Sequence, residues 1–150
     1  MNPTQKPNTT TAALADPTPA DILRCAARYL ETRGWIQGNV YQPGSEEPFP
    51  AVCAAGAIGM AVYGRRTTPS DQTASDRANW RLLHRTASYL AEYLWNDGRV
   101  RECDYFGALA SADHEIVSDW NDESDQTAAE VIAVLRTAAN DYDRTYGAAS

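Results

Sequence analysis

The chain is poor in basic residues, in cysteine and in long apolar segments, and each shortage argues against a class of protein. Thirteen lysines and arginines stand against twenty aspartates and glutamates, a formal net charge of −7. Nucleic-acid binding needs a basic face, so we expect no nucleic-acid partner. Three cysteines cannot all pair with one another, and no apolar run approaches the roughly 20 residues of a membrane-spanning helix. The first residues also lack the apolar core of a signal peptide, and we predict a cytoplasmic protein with reduced thiols.

The negative charge is concentrated in one stretch. Between residues 97 and 125, nine acids stand against two bases, so this stretch alone carries a charge of −7. Complementary charge steers association between proteins, and we therefore expect a protein partner with a basic surface. The nine acids are Asp97, Glu102, Asp104, Asp113, Glu115, Asp119, Asp122, Glu123 and Asp125.

The chain divides into a tail and one domain. Residues 1–17 have few apolar side chains and three prolines, which is typical of a disordered tail. In residues 18–147 apolar side chains recur at helical spacing. We predict a mainly α domain, a compact bundle of four to five helices with at most a small β-hairpin between residues 35–41 and 51–53.

The first helix has a defined start and end. Thr18 is a favoured N-cap residue, Pro19 suits the first helical position, and Asp21 stands where a capping box needs its acid. Gly34 is placed to end the helix in a left-handed turn.

The second helix is predicted to be the buried centre of the domain. Residues 52–63 contain no charged side chain, and a helix that is apolar on every side is expected to be buried on every side. Gly56 and Gly59 each cost about 1 kcal/mol relative to alanine within a helix. We therefore expect close backbone packing at both glycines, and Gly64 ends the helix.

Three more helices are predicted toward the C-terminus. A helix that is capped by Ser75 or Asp76 and ends near Trp95 carries an apolar seam of Trp80, Leu83, Ala87, Leu90 and Leu94. A short helix follows at residues 110–117. The last helix begins at a capping box of Thr127 and Glu130, and its buried face is Val131, Leu135, Ala138 and Tyr142.

Three short signatures are the most distinctive feature of the chain. They are Gly34-Trp35-Ile36-Gln37-Gly38, the small-residue segment that begins Val52-Cys53-Ala54-Ala55-Gly56-Ala57, and Trp120-Asn121-Asp122 ahead of the last helix. Together they resemble a family of small proteins of unknown function found in actinomycetes and their phages. The resemblance covers about residues 20 to 140 and carries no activity that can be transferred.

The signatures suggest a polar pocket beside two tryptophans. If Gln37 meets Asn121, the two amides and the neighbouring rings form a site for a ligand or peptide. The predicted binding residues are Trp35, Gln37, Trp120, Asn121 and Asp122. The alternative is that these residues have a structural role and bind no ligand. In that case Trp120 buries its ring, while Asn121 and Asp122 bind backbone amides in the turn that enters the last helix.

A cysteine-dependent hydrolase is the alternative from another class. Cys53 begins the buried helix, where the macrodipole lowers the pKa of a thiol. His114 would be the base and Asn121 the orienting group. Against this interpretation, cysteine is among the most buried residue types, and the small residues that follow suit close helix packing.

Residues 119–130 also match the spacing of a calcium-binding loop. Ser124 stands where that loop needs glycine, and the capping box already accounts for Thr127 and Glu130. We therefore predict no metal and no cofactor. By elimination, the sequence favours a non-enzymatic protein-binding or regulatory protein, of which a phage inhibitor with DNA-like negative charge is one variant.

Overall fold

The computed structural model describes residues 16–67, 76–100 and 109–147. Within these ranges the chain forms five packed α-helices and no β-strand, which confirms the predicted helical fold. None of these helices is long and apolar enough to cross a membrane. The tail predicted at 1–17 lies outside the described ranges except for its last two residues. The helices are α1 (Pro19–Arg33), α2 (Ala54–Tyr63), α3 (Arg77–Asn96), α4 (Leu109–Asn121) and α5 (Ala128–Tyr146).

Helix α1 begins as predicted and ends differently. The Thr18 hydroxyl accepts a hydrogen bond from the Asp21 backbone N–H at 3.2 Å, and the Asp21 carboxylate accepts one from the Thr18 N–H at 3.0 Å. Gly34 follows the helix with φ 111° and ψ 153°. The positive φ explains the glycine, but the predicted left-handed helical turn is wrong, because Gly34 turns the chain directly into an extended segment.

Helix α2 lies at the centre, against α1, α3 and α4. Its inner face is fully buried, whereas Ala55, Ala61, Val62 and Tyr63 are only half-buried, so the helix is not enclosed on every side. The inner face comprises Ala54, Gly56, Ala57, Ile58, Gly59 and Met60.

The two glycines of α2 differ in how closely atoms of other segments approach them. A Cβ on Gly56 would lie 2.8 Å from the carbonyl oxygen of Val40, so another backbone does approach closely there. A Cβ on Gly59 would meet no atom within 4 Å. The expected close packing is therefore present at Gly56 and wrong at Gly59.

Helix α1 runs antiparallel to α5, and so does α3, whose Arg85 and Tyr93 contact Tyr142 and Thr137 in turn. Arg24 of α1 pairs with Asp143 at 2.7 Å, and Arg136 binds both carboxylate oxygens of Glu31 at 2.9 and 3.0 Å. The core beneath these surface pairs is aliphatic. It includes Leu23, Leu30, Leu90, Leu94, Val131, Val134 and Leu135.

The segment between α1 and α2 is held by isolated bridges, which stays within the predicted limit of at most a small β-hairpin. Val52 bridges Trp35 in parallel and Tyr41 in antiparallel orientation. The Ile36 N–H donates to the Val52 carbonyl at 3.0 Å. This arrangement brings the segment across the start of α2.

The C-terminal helices depart from the predicted pattern at four places. Trp80 is 41% exposed, and the seam of α3 is completed by Leu82, Thr86 and Ala91. Helix α4 is longer than the predicted 110–117. Thr127 caps α5 by accepting from the Glu130 N–H at 3.1 Å, but the Glu130 carboxylate binds Arg99, so only half of the predicted capping box is present. Tyr142, predicted in the core, is half-buried.

Candidate functional site

The side chain of Asn121 joins three segments that are far apart in sequence. Asn121 ends α4 and is fully buried. Its Oδ1 accepts hydrogen bonds from Trp35 Nε1 at 2.7 Å and from the Ala54 backbone N–H at 2.9 Å. Its Nδ2 donates to the Ile36 carbonyl at 3.1 Å and to Asp122 Oδ1 at 2.9 Å. We call these five residues the Asn121 node.

The carboxamide of Asn121 has no capacity left for a ligand. An asparagine side chain offers two acceptor lone pairs and two N–H donors, and all four are used inside the protein. The Ala54 N–H is one of the helix-start amides that lack a partner within α2. A second such amide, the Gly56 N–H, donates to Cys53 Sγ at 3.3 Å. The node therefore caps the central helix from a distant part of the chain.

Further hydrogen bonds of Gln37 and of Asp122 connect the node to the turn after α4. Gln37 Nε2 donates to the carbonyls of Asn121 at 3.0 Å and Glu123 at 2.8 Å. Asp122 Oδ1 accepts from the Gly38 N–H at 3.0 Å. The segment from Trp35 to Gly38 is thereby fixed against the turn that begins at Asp122.

Three of the five predicted binding residues, Trp35, Asn121 and Asp122, belong to this node, and Gln37 binds the Asn121 carbonyl beside it. The fifth, Trp120, has a side chain that is 2% exposed and belongs to the core. Asn121 and Asp122 bind backbone amides of the segments at 54 and 38, so the prediction that they bind amides of their own turn is wrong. A ligand-binding role for the five residues stays a prediction.

Cys53 is a buried helix cap. Its side chain is 6% exposed, and burial raises the pKa of the thiol, with the N–H groups of Gly56 and Ala55 opposing the rise only in part. The predicted lowering of this pKa by the helix macrodipole is therefore wrong. A protonated thiol is a poor nucleophile.

His114 contacts a second histidine. Its Nε2 lies 3.5 Å from Nδ1 of His84, and the two rings meet edge to face at 5.0 Å between centroids. Burial, and then the neighbouring His84, lower the pKa of His114. The side-chain hydrogen bonds of Asn121 are made to Trp35, Ala54, Ile36 and Asp122, and none is made to His114. The geometry thus gives His114 a packing partner on α3 but no relay through Asn121.

In the turn that matches the spacing of a calcium-binding loop, the side chains of Thr127 and Glu130 bind other groups. Thr127 caps α5, and Glu130 binds Arg99, which also binds Asp97 at 2.6 Å. Across the described ranges no three His, Cys, Asp or Glu side chains are grouped to hold a metal ion.

An open cleft between α3 and α5 is a site that the sequence patterns did not indicate. Two adjoining cavities, of about 370 and 590 Å³, share Tyr89, Glu92 and Tyr146 in their walls. Tyr142 lies in the wall of the larger cavity. The ring centroids of Tyr89 and Tyr142 are 5.0 Å apart, and those of Tyr142 and Tyr146 are 4.8 Å apart. We call the two cavities together the tyrosine cleft.

Acidic side chains surround these rings. The walls contain four carboxylates and one arginine, Arg85. The Tyr89 hydroxyl donates to Asp141, and burial together with this bond raises the pKa of Tyr89. The four carboxylates are those of Glu92, Asp97, Asp113 and Asp141. Tyr142 and Tyr146 stand one helical turn apart in the sequence, but that spacing alone does not indicate that they face Tyr89 of α3.

The fold and these sites define an all-α protein whose helices are joined by a buried asparagine and which carries an open, acidic, tyrosine-lined cleft. The chain belongs to DUF6197, a family of unknown function, whose model matches residues 14–141. This agrees with the resemblance to a family of unknown function over about the same residues. No curated protein and no solved structure matches the chain.

Proposed function

We propose that this protein is a non-enzymatic binding protein that takes a basic protein partner on an acidic surface. The observation that carries the proposal is the exposure of the acids in the stretch 97–125. Of the seven acids of this stretch within the described ranges, six are exposed and Asp113 is half-buried. Arg99, the base of the stretch within the same ranges, is already paired with Asp97 and Glu130. The potential of this surface is therefore negative.

The Asn121 node supports the proposal by holding part of this surface in place. Gln37 binds the Glu123 carbonyl, and Gly38 binds the Asp122 carboxylate, so the acidic turn after α4 is tied to the segment before α2. An ordered charged surface loses less conformational entropy on binding than a mobile one. In this proposal the five predicted binding residues act by shaping the surface.

The state of Cys53 argues against the hydrolase alternative. Its thiol is buried, its Sγ accepts the Gly56 N–H, and its pKa is raised. We therefore propose a binding function ahead of cysteine catalysis. An actinobacterial or phage origin stays a prediction from the resemblance, and action as a phage inhibitor stays a prediction from the concentrated negative charge.

The test compares two double variants with the same change in net charge. Glu115→Gln/Glu123→Gln removes two exposed charges from the acidic stretch, whereas Glu46→Gln/Glu47→Gln removes two exposed charges elsewhere. Each protein is immobilised and titrated with a fluorescent peptide of alternating arginine and serine. We expect salt-sensitive binding that the first pair weakens and the second pair leaves nearly unchanged.

The matched neutral peptide, with citrulline in place of arginine, is the control for charge. Absence of binding of the arginine peptide to the wild-type protein at low ionic strength would contradict the proposal. Equal binding of the citrulline peptide would contradict it too, because the attraction would then not depend on charge.

A further inference from the structure

We propose that the tyrosine cleft is the site at which this protein binds its basic partner. In this proposal the cleft binds arginine side chains that project from an extended peptide segment of the partner protein. This inference depends on the proposed function and goes further, because it names the site and the chemical group that is recognised. Two of the acids in the cleft wall, Asp97 and Asp113, belong to the acidic stretch 97–125. The cleft therefore shares two of its carboxylates with the proposed acidic surface.

The tyrosines supply the first part of the recognition. Tyr146 is 62% exposed, and its ring lies 6.2 Å from that of Tyr89 and 4.8 Å from that of Tyr142. A guanidinium is attracted to the face of a tyrosine ring when it lies within about 6 Å of the ring centre. Its planar, weakly hydrated group also stacks on such rings better than a lysine ammonium does. An exposed aromatic cluster of this kind therefore favours arginine.

The carboxylates supply the second part, and they differ in what they already bind. Asp97 is paired with Arg99, and Asp141 accepts the Tyr89 hydroxyl and pairs with Arg144 at 3.0 Å. Glu92 lies in the walls of both cavities, and the described part of the chain gives it no ion-pair partner. Because a carboxylate can accept two parallel N–H bonds from a guanidinium, Glu92 is the acid best placed to bind one.

The shape of the cleft favours a chain over a small cation. Its two cavities meet at a shared wall of Tyr89, Glu92 and Tyr146. Two neighbouring cavities suit side chains that project from one extended segment, whereas a free cation would occupy one cavity and leave the other empty. The four carboxylates against one arginine in the walls also repel anionic ligands such as nucleic acid.

The experiment uses the full chain and the alternating arginine–serine peptide, with fluorescence anisotropy as the readout. Glu92→Gln removes the proposed carboxylate partner while keeping the size of the side chain, and Tyr146→Ala removes the most exposed ring. We expect each variant to bind about threefold to tenfold more weakly than the wild-type protein. Tyr146→Phe keeps the ring, and we expect its affinity to stay within about twofold of that of the wild type.

Two control variants test whether the effect is local to the cleft. Trp95→Ala removes an exposed aromatic ring of α3 that does not line the cleft, and Glu46→Gln removes an exposed charge that lies outside both the cleft and the acidic stretch. We expect each to bind within about twofold of the wild-type affinity. In addition, amide resonances around Tyr89 and Tyr146 are expected to shift in an NMR titration with the peptide.

The outcomes separate this inference from the proposed function. If Glu92→Gln and Tyr146→Ala bind like the wild type while Glu115→Gln/Glu123→Gln binds weakly, the cleft is not the site and the acidic-surface proposal stands. If the wild-type protein binds no arginine peptide, both fail. If spermidine saturates the cleft resonances but the peptide leaves them unmoved, the site takes a small cation and the peptide inference is overturned.

Discussion

The Asn121 node and the tyrosine cleft are built from similar groups and are opposite in what those groups bind. Both combine aromatic rings with polar side chains between helices. At the node, every donor and acceptor of the Asn121 side chain is used inside the protein. In the cleft, Tyr146 is 62% exposed and Glu92 has no ion-pair partner in the described part of the chain. A saturated polar group stabilises a fold, whereas an unsaturated one at the surface is available to a ligand.

This difference predicts that stability depends on the node and binding depends on the cleft. Substitutions at the node should lower the free energy of unfolding. Substitutions in the cleft should leave that free energy nearly unchanged while they weaken peptide binding.

The largest expected effect is that of Asn121→Ala. The substitution removes the acceptor of the Trp35 and Ala54 N–H groups and leaves polar groups without partners in the interior. Each unsatisfied buried group costs about 1–3 kcal/mol, so we expect the free energy of unfolding to fall by about 2–4 kcal/mol. Chemical denaturation measures the change.

The control for this variant is Asp125→Ala, an exposed position in the nearby turn. It is expected to change the free energy of unfolding by less than about 0.5 kcal/mol. If Asn121→Ala were no more destabilising than Asp125→Ala, the node would not be holding the three segments together.

The two glycines of α2 allow a comparison, within one helix, between a glycine that another segment approaches closely and a glycine that has free space beside it. A methyl group on Gly56 would meet the Val40 carbonyl at 2.8 Å and Val52 Cβ at 3.0 Å, and we expect Gly56→Ala to cost about 1–3 kcal/mol of stability. A methyl group on Gly59 meets no atom within 4 Å, so Gly59→Ala should be neutral or stabilise by up to about 1 kcal/mol. Thermal unfolding of the pair measures the difference in sign. Equal destabilisation by both would mean that the close approach at Gly56 is not what requires glycine.

The sequence predicted contacts between neighbours in the chain better than contacts between distant segments, among which it indicated the approach of Gln37 to Asn121. The capping box of Thr18 and Asp21 spans three residues and is present as predicted. The bond from Ala54 to Asn121 spans 67 residues, and that from Trp35 spans 86. Helical periodicity carries no information on such contacts, because it describes one helix at a time.

The cleft was missed for a related reason. Tyr142 fits the apolar spacing of α5 and was therefore predicted to be in the core. In the structure its ring packs against Tyr89 of α3 at the edge of the core, where the hydroxyl reaches Arg85 at 3.4 Å. A tyrosine buries its ring and keeps its hydroxyl near water, so periodicity alone cannot distinguish a core position from a cleft wall.

The contact of His114 on α4 with His84 on α3 predicts that the stability of the fold depends on pH. Burial and His84 hold the pKa of His114 below its ordinary value of 6.5, and the charge of Asp113 opposes this only in part. At a pH between the pKa of His114 in the folded protein and its value of about 6.5 in the unfolded chain, the unfolded chain binds more protons than the folded one. The free energy of unfolding therefore falls as the pH drops below about 6.5. We expect the melting temperature to fall from pH 7.5 to pH 5.5, and His114→Gln to reduce that fall. An unchanged fall in the variant would assign the pH dependence to other groups.

The smallest expected effect tests the other half of the comparison. Glu92→Gln and Tyr146→Ala alter side chains that project into the cleft, and Tyr146 belongs to the last turn of α5. Surface substitutions away from caps and cores change the free energy of unfolding by less than about 0.5 kcal/mol, and we expect the same here. Denaturation curves recorded on the same samples used for peptide binding measure this directly. If either variant lost as much stability as Asn121→Ala, weaker peptide binding could be explained by unfolding, and the division of roles between the node and the cleft would be wrong. If stability is kept while affinity falls, these exposed groups act on the ligand and not on the fold.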